Sequence, residues 1–577
     1  VSQRKNSMDF KTYITKVEDQ LNQMSEKQKT EWIFNQARTV EEKDREKFLN
    51  RLSGRIDVYA EEGLTKDKLK NWFRQVDEGE IYFGMEEYEQ YNEGEWTWDP
   101  DWVTEYYDIF DIIPMLIKVI RLSHQLMLQR EYRDSFDILD RVYRIKFYAD
   151  SEYGDAERIS LMELAEEKLI NLNFRKISLN LLYSCYQVHS GQSRIRKIYE
   201  YLTWDECADI KVTDIFSFGP DPIEDADDFM KEWKDFLMHT PGNRAAKLLI
   251  DACIYLGGEG ELLQTAEENC ETHPLLYLEC CERKYQNYNY EGCITAAEKA
   301  LKQIDREKRI RGDIADIAVK AIENIKDERL LSYFYREAFF SDPTSRHLLA
   351  LFRLNDHKIT DWALQRVRGL KIDSDTWRRY SNWSAPADEQ KEASINNQEK
   401  KIIYRFMLGD YRSIIEKCMN DSVYLGWTSD IKGAIVPLLL LYLKKDEETK
   451  TIAEQSVLSD MKYRMGFAGS EGETFSDYIR AWRMSENIPE EEKEKYIQWL
   501  KKEIDRRTEH VVGGGYRKSY FKAAKLVVLL GEILEERGEA DGMRKLIEYY
   551  KKKHTRKRAF KSEIEELAQR GISSESC

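Results

Sequence analysis

The chain has 577 residues, 42% hydrophobic and 34% charged, with 10 prolines and a formal net charge of −16. That length exceeds one compact core and leaves roughly three or four domain equivalents, or a single extended repeat array. The excess of 106 acidic over 90 basic residues excludes nucleic acid as the partner of the surface as a whole, and the scarcity of proline disfavours domains strung on Pro-rich linkers.

In chain order, residues 1–80 read as an N-terminal helical region, with helices over 8–23, 26–37, 40–62 and 66–76. Trp32, Ile33 and Ala37, then Phe48, Leu49, Leu52 and Ile56, recur at spacings of three and four. This is the pattern of amphipathic helices with one buried face. Val1 to Lys16 is charged and lacks an apolar core, so no signal peptide is expected. A first residue other than Met leaves open a longer parent chain.

Residues 81–110 differ in kind, holding nine acidic residues and no basic one, with aromatic residues interleaved. This acidic aromatic segment reads as a loop. It offers a candidate partner-binding set in Glu93, Trp96, Trp98, Asp99, Asp101 and Trp102 for a basic ligand; the alternative is that the rings pack into the following helices while the carboxylates stay solvated.

Residues 111–380 read as a helical-repeat region, 381–398 as a candidate linker, 399–570 as a second helical-repeat region and 571–577 as a disordered tail. A weaker boundary at Gly219 to Pro222 reads as a loop between helix pairs. Three stretches share a pattern: Glu131-Tyr132 to Phe136, Asn289-Tyr290 to Ile294, and Asp410-Tyr411 to Ile414. In each a polar residue precedes Tyr and an apolar residue follows about one helical turn on. The middle one continues through Ala296, Ala297, Ala300 and Leu301, and so resembles the second helix of a tetratricopeptide repeat. No 34-residue period holds throughout, so the expectation is an all-α fold, an α-solenoid of degenerate tetratricopeptide-like helix-turn-helix repeats. The apolar run Ala434 to Leu443 is too short to span a membrane and reads as a buried helix with Pro437 near its first turn or at a kink.

No phosphate loop, His-Glu-x-x-His helix, Gly-x-Ser-x-Gly elbow or Cys-x-x-Cys pair occurs, and no catalytic residue, cofactor or metal is expected. Cys270, His273, Cys280 and Cys281 are the only cluster of soft ligands, but adjacent helical cysteines point about 100° apart, so they read as buried thiols. The nine cysteines suit a reducing cytoplasm. Gly513, Gly514 and Gly515, followed by Arg517 and Lys518, form a candidate anion site, since successive glycines can turn backbone N–H groups toward a charge; they equally suit a flexible turn capping a helix. Lys551, Lys552, Lys553, Arg556, Lys557 and Arg558 form a basic patch in an acidic chain. It is a candidate nucleic-acid surface, or a solvated face whose first cations complement a helix end.

The run from Ile504 to Glu509, through Gly513 to Ala524 and Leu530-Gly531-Glu532, resembles the helical C-terminal portion of bacterial SWIM-type zinc-finger proteins, as does Tyr549 to Phe560. The resemblance implies helical repeats downstream of a Cys-x-Cys…Cys-x-His zinc module that binds DNA or proteins. No Cys-x-Cys occurs in this chain, so no functional residue carries over. The leading expectation is a noncatalytic protein-interaction scaffold with a protein or peptide partner and no membrane; the alternative is a nucleic-acid-associated accessory protein using the basic patch.

Overall fold

A computed structural model describes residues 10–42, 45–52, 59, 63–90, 101–151, 156–372, 391–395, 397–421, 425, 431–445, 450–467, 475–485 and 488–570. Helices dominate. The chain divides into two compact units, residues 1–240 with 248–258, and residues 241–247 with 259–577.

The first unit opens with helices Phe10–Gln23, Glu26–Thr39, Arg45–Leu52 and Lys66–Asp77. The second starts at a capping box. Ser25 Oγ accepts from the Gln28 N–H, and the Gln28 side chain accepts from the Ser25 N–H at 2.8 Å. Helix Lys66–Asp77 buries Leu69, Trp72 and Val76, one stripe at helical spacing. Among the described residues the buried face expected of the two helices before it is absent; Ile56 of that face lies outside them. Helix Glu26–Thr39 buries no residue, and Leu49 and Leu52 are exposed.

The acidic aromatic segment is not a loop over its described residues. It supplies β1 (Phe83–Gln90) and β2 (Asp101–Tyr107), which join β3 (Lys146–Ser151) and β4 (Ala156–Ser160) in a sheet of order β2-β1-β3-β4. β1 pairs antiparallel with β2, setting Tyr88 against Val103, and parallel with β3, setting Phe83 against Ala149. The inward alternation of Phe83 with Met85, and of Phe147 with Ala149, buries one face. The Phe83 and Phe147 rings meet edge to face at 5.8 Å. Aromatic strand propensity therefore overrides the charge density that suggested a loop.

The three Tyr-containing stretches each open the second helix of a hairpin: Ile112–Leu128 with Tyr132–Arg144, Leu275–Gln286 with Tyr290–Gln303, and Gln398–Met407 with Tyr411–Asn420. All three use one turn. A left-handed residue stands two before each Tyr: Arg130 (φ 68°), Tyr288 (φ 58°) and Gly409 (φ 97°). The next N–H returns to the carbonyl five residues back, from Glu131 to Leu126 (2.9 Å), Asn289 to Lys284 (2.8 Å) and Asp410 to Arg405 (3.0 Å), the Schellman closure of a helix end.

In the second unit, helices Leu275–Gln286, Tyr290–Gln303, Ile310–Ile325 and Leu331–Ser341 each pack on the next. Buried Ala296, Ala297 and Ala300 face this stack with buried Ala315, Ala318 and Ala321, small residues that let helices approach closely. Of the candidate linker, residues 381–390 and 396 lie outside the described residues. The stretch 391–395 is stitched down, the Arg309 N–H donating to the Lys391 carbonyl (2.9 Å) and the Ala393 N–H to the Glu307 carbonyl (2.8 Å). Helix Ile431–Leu443 is almost wholly buried, with Pro437 in its middle rather than its first turn. Among the described residues no helix is long and apolar enough to cross a membrane.

Candidate functional site

The C-terminal helices bring the glycine run and the basic stretch together. Helix Glu490–Thr508 runs into a π-helical turn, Glu509–Gly513, and a 3-10 turn, Arg517–Ser519, leads into helix Tyr520–Glu536. Gly515 has φ +83°, and Lys557 Nζ lies 3.6 Å from where a Cβ on Gly515 would sit. The two turns are locked from beneath by edge-to-face contacts of Phe560 with Tyr520 (5.9 Å) and with the buried His554 (5.7 Å).

The backbone of the glycine turn is turned inward. The N–H groups of Gly514, Gly515, Tyr516 and Arg517 donate to the carbonyls of His510, Val512, Val511 and Gly515, so they do not form an anion cradle. The Glu509 carboxylate also stands against Gly513. The side chains divide into two classes. Lys551 pairs with Glu565, and Lys553 with Asp505 at 2.7 Å and Glu509 at 3.5 Å. Arg517, Lys518, Lys552, Arg556, Lys557 and Arg558 have no carboxylate partner among the described residues, and all but the half-buried Lys557 are exposed.

A second polar centre in the same unit has no counterpart in the sequence reading. Lys444, its side chain 1% exposed, pairs with Glu536 and lies 4.0 Å from the buried Glu454. Thr451 Oγ1 donates to Glu532 at 3.4 Å. Burial pushes the Glu532 carboxyl up to about 7, with Glu454 and Glu536 adding repulsion against the attraction of Lys444. Burial opposes the charge of Lys444, yet its hydrogen bond to Glu536 and the carboxylates around it hold its pKa above the ordinary lysine value. The signal was a lone acid, Glu532, inside the apolar run from Leu526 to Leu534, and a lysine directly after the run ending at Leu443.

Lys444 and Glu536 also line a pocket of about 460 Å³ with Lys445, Arg480, Arg483, Lys493, Arg537 and Glu490. Its cations are engaged. Lys493 and Arg537 hold Glu490 at 2.7 and 2.8 Å, Lys445 donates to the Glu536 carbonyl at 3.1 Å, and Arg483 donates to the Lys444 carbonyl. These bonds tie helix ends together.

Of the acidic aromatic set, Glu93, Trp96, Trp98 and Asp99 lie outside the described residues, as do the side chains of Asp101 and Trp102, whose backbones begin β2. Along the described part, Tyr88 and Tyr107 hydroxyls donate to Glu105 at 2.8 and 2.9 Å, so the phenols serve the carboxylates of the exposed face. Cys280, Cys281 and His273 are buried and Cys270 is half-buried. Among the described residues no three His, Cys, Asp or Glu side chains are grouped to hold a metal.

No family model matches the chain, and neither a curated protein nor a solved structure matches it.

Proposed function

We propose that the chain is a noncatalytic protein-interaction scaffold, its helix hairpins stacked as degenerate tetratricopeptide-like repeats that offer helical faces to a protein or peptide partner. The observation that carries this reading is helix Glu26–Thr39. It is formed and capped, it buries none of its residues, and it leaves Trp32 56% and Phe34 60% exposed. Large aromatic side chains held in water at that density are characteristic anchors of interfaces. The shared turn of the three hairpins and the C-terminal resemblance to the SWIM-type helical region support a repeat architecture. Seven of the eight described cysteines are buried, as small apolar side chains are in a reducing cytoplasm.

The test is an affinity pull-down with the full chain and its Trp32→Ser/Phe34→Ser variant, with and without nuclease, followed by mass spectrometry. One protein partner should survive nuclease and about 0.5 M salt, where the screening length falls to a few ångströms, and should be lost from the variant. A partner held equally by the variant removes the helix as its dock; no partner under any condition defeats the scaffold reading.

A further inference from the structure

We propose that the two adjoining C-terminal turns form a docking surface for single-stranded nucleic acid. The first turn, Gly515–Ser519, contributes Arg517 and Lys518; the second, between helices Gly542–Lys553 and Arg558–Leu567, contributes Arg556, Lys557 and the flanking Lys552 and Arg558. The approach of Lys557 to Gly515, 3.6 Å to the Cβ position, makes them one surface. A side chain at Gly515 would stand in the seam.

Three observations decide the ligand. First, the six cations have no carboxylate partner among the described residues, although the chain as a whole has an acid excess of 16. The neighbours that do meet acids, Lys551 and Lys553, are the ones whose ammonium groups fold back onto the helices through Glu565 and Asp505. Unpaired clustered cations beside an acidic body are positioned for a polyanion, and binding proceeds by release of its counterions. Second, the backbone N–H groups of the glycine turn are internally bonded, so recognition runs through flexible side chains, which track a backbone of phosphates rather than cradle one compact anion. Third, Tyr516 and Tyr549 are each 52% exposed at this surface. Tyr516 directly precedes Arg517, and Tyr549 stands one turn before Lys552 and Lys553. Aromatic faces beside a cationic track offer stacking platforms to unpaired bases, which a duplex hides and an acidic peptide lacks.

Fluorescence anisotropy with the full chain tests this, using a labelled single-stranded oligonucleotide of about 20 residues, its duplex, and labelled polyglutamate. The single strand should bind tightest. If about four phosphates are neutralised, affinity should fall roughly fifty-fold between about 50 and about 200 mM salt. Lys552→Glu/Arg556→Glu/Arg558→Glu should weaken binding more than about tenfold and flatten the salt slope, and Tyr516→Ala should weaken it about tenfold with the slope unchanged. Arg517→Ala/Lys518→Ala, on the other turn, gives the same direction without reversing charge, and circular dichroism confirms that each variant is folded. Polyglutamate binding as tightly as the oligonucleotide, undiminished binding by both multiple variants, or no binding at the lower salt overturns the proposal.

Discussion

The Lys444 centre and the C-terminal turns lie in the same unit and are both rich in lysine and arginine, yet they use charge in opposite ways. Around Lys444 each cation is matched to a carboxylate or a helix carbonyl, and the acids are buried enough that Glu532 holds its proton up to about pH 7. At the turns, Lys552, Arg556 and Arg558 are exposed and unmatched among the described residues. The lesson is that residue type does not separate structural from available charge; burial and partner do. A buried ion loses more if one partner goes than the pair ever gains, whereas an exposed one is already solvated.

The strongest way to break this contrast is at the buried pair Lys432–Glu503, 3.2 Å apart with side chains 1% and 3% exposed. Lys432→Met leaves the buried Glu503 carboxylate with only Arg506 and the Leu425 N–H among the described residues, each at 3.1 Å, and should cost about 3 kcal/mol in urea unfolding, the lower end of what breaking a buried pair costs. A cost below about 1 kcal/mol would place this pair with the surface ones. Next is Glu532. Its folded pKa, about 7, lies above its ordinary 4.5, so the unfolded chain ionises first and stability falls as pH rises between those values, then levels. Glu532→Gln removes that loss and should stabilise the protein by about 1–3 kcal/mol at pH 8 but not at pH 4; a pH-independent change in melting temperature would mean the carboxyl titrates normally. The smallest effect belongs to the turns: Lys552→Ala should change stability by less than about 0.5 kcal/mol, and a larger loss would assign it a structural partner.

Much of the architecture was legible locally. Helix Glu26–Thr39 is legible over 26–37 from the spacing of Trp32, Ile33 and Ala37, and the three Tyr stretches mark helix starts because a turn and its first helical residue are set by adjacent residues. The sheet was not legible. β1 reads as an acidic segment because Glu86, Glu87 and Glu89 fall on both of its faces and mask the alternation, and its inward Phe83 and Met85 acquire meaning only against Phe147 and Ala149, some sixty residues on. The site was legible in part. Lys552 and Arg556 stood out by composition, but which lysines are neutralised depended on Asp505 and Glu565, and the glycine run looked like an anion cradle until its N–H groups were seen bonded within the turn.

By itself, then, the sequence determined what short-range physics determines: the helical character, the helix starts near residues 26 and 66 and at the three Tyr stretches, and the position of the basic cluster in the chain. Tertiary structure alone decided that helix Glu26–Thr39 buries none of its residues, that Glu532 meets Lys444 and Glu454, and that Gly515 meets Lys557. Those outcomes depend on contacts between residues far apart in the chain, whose energies come from burial and pairing that no local window contains.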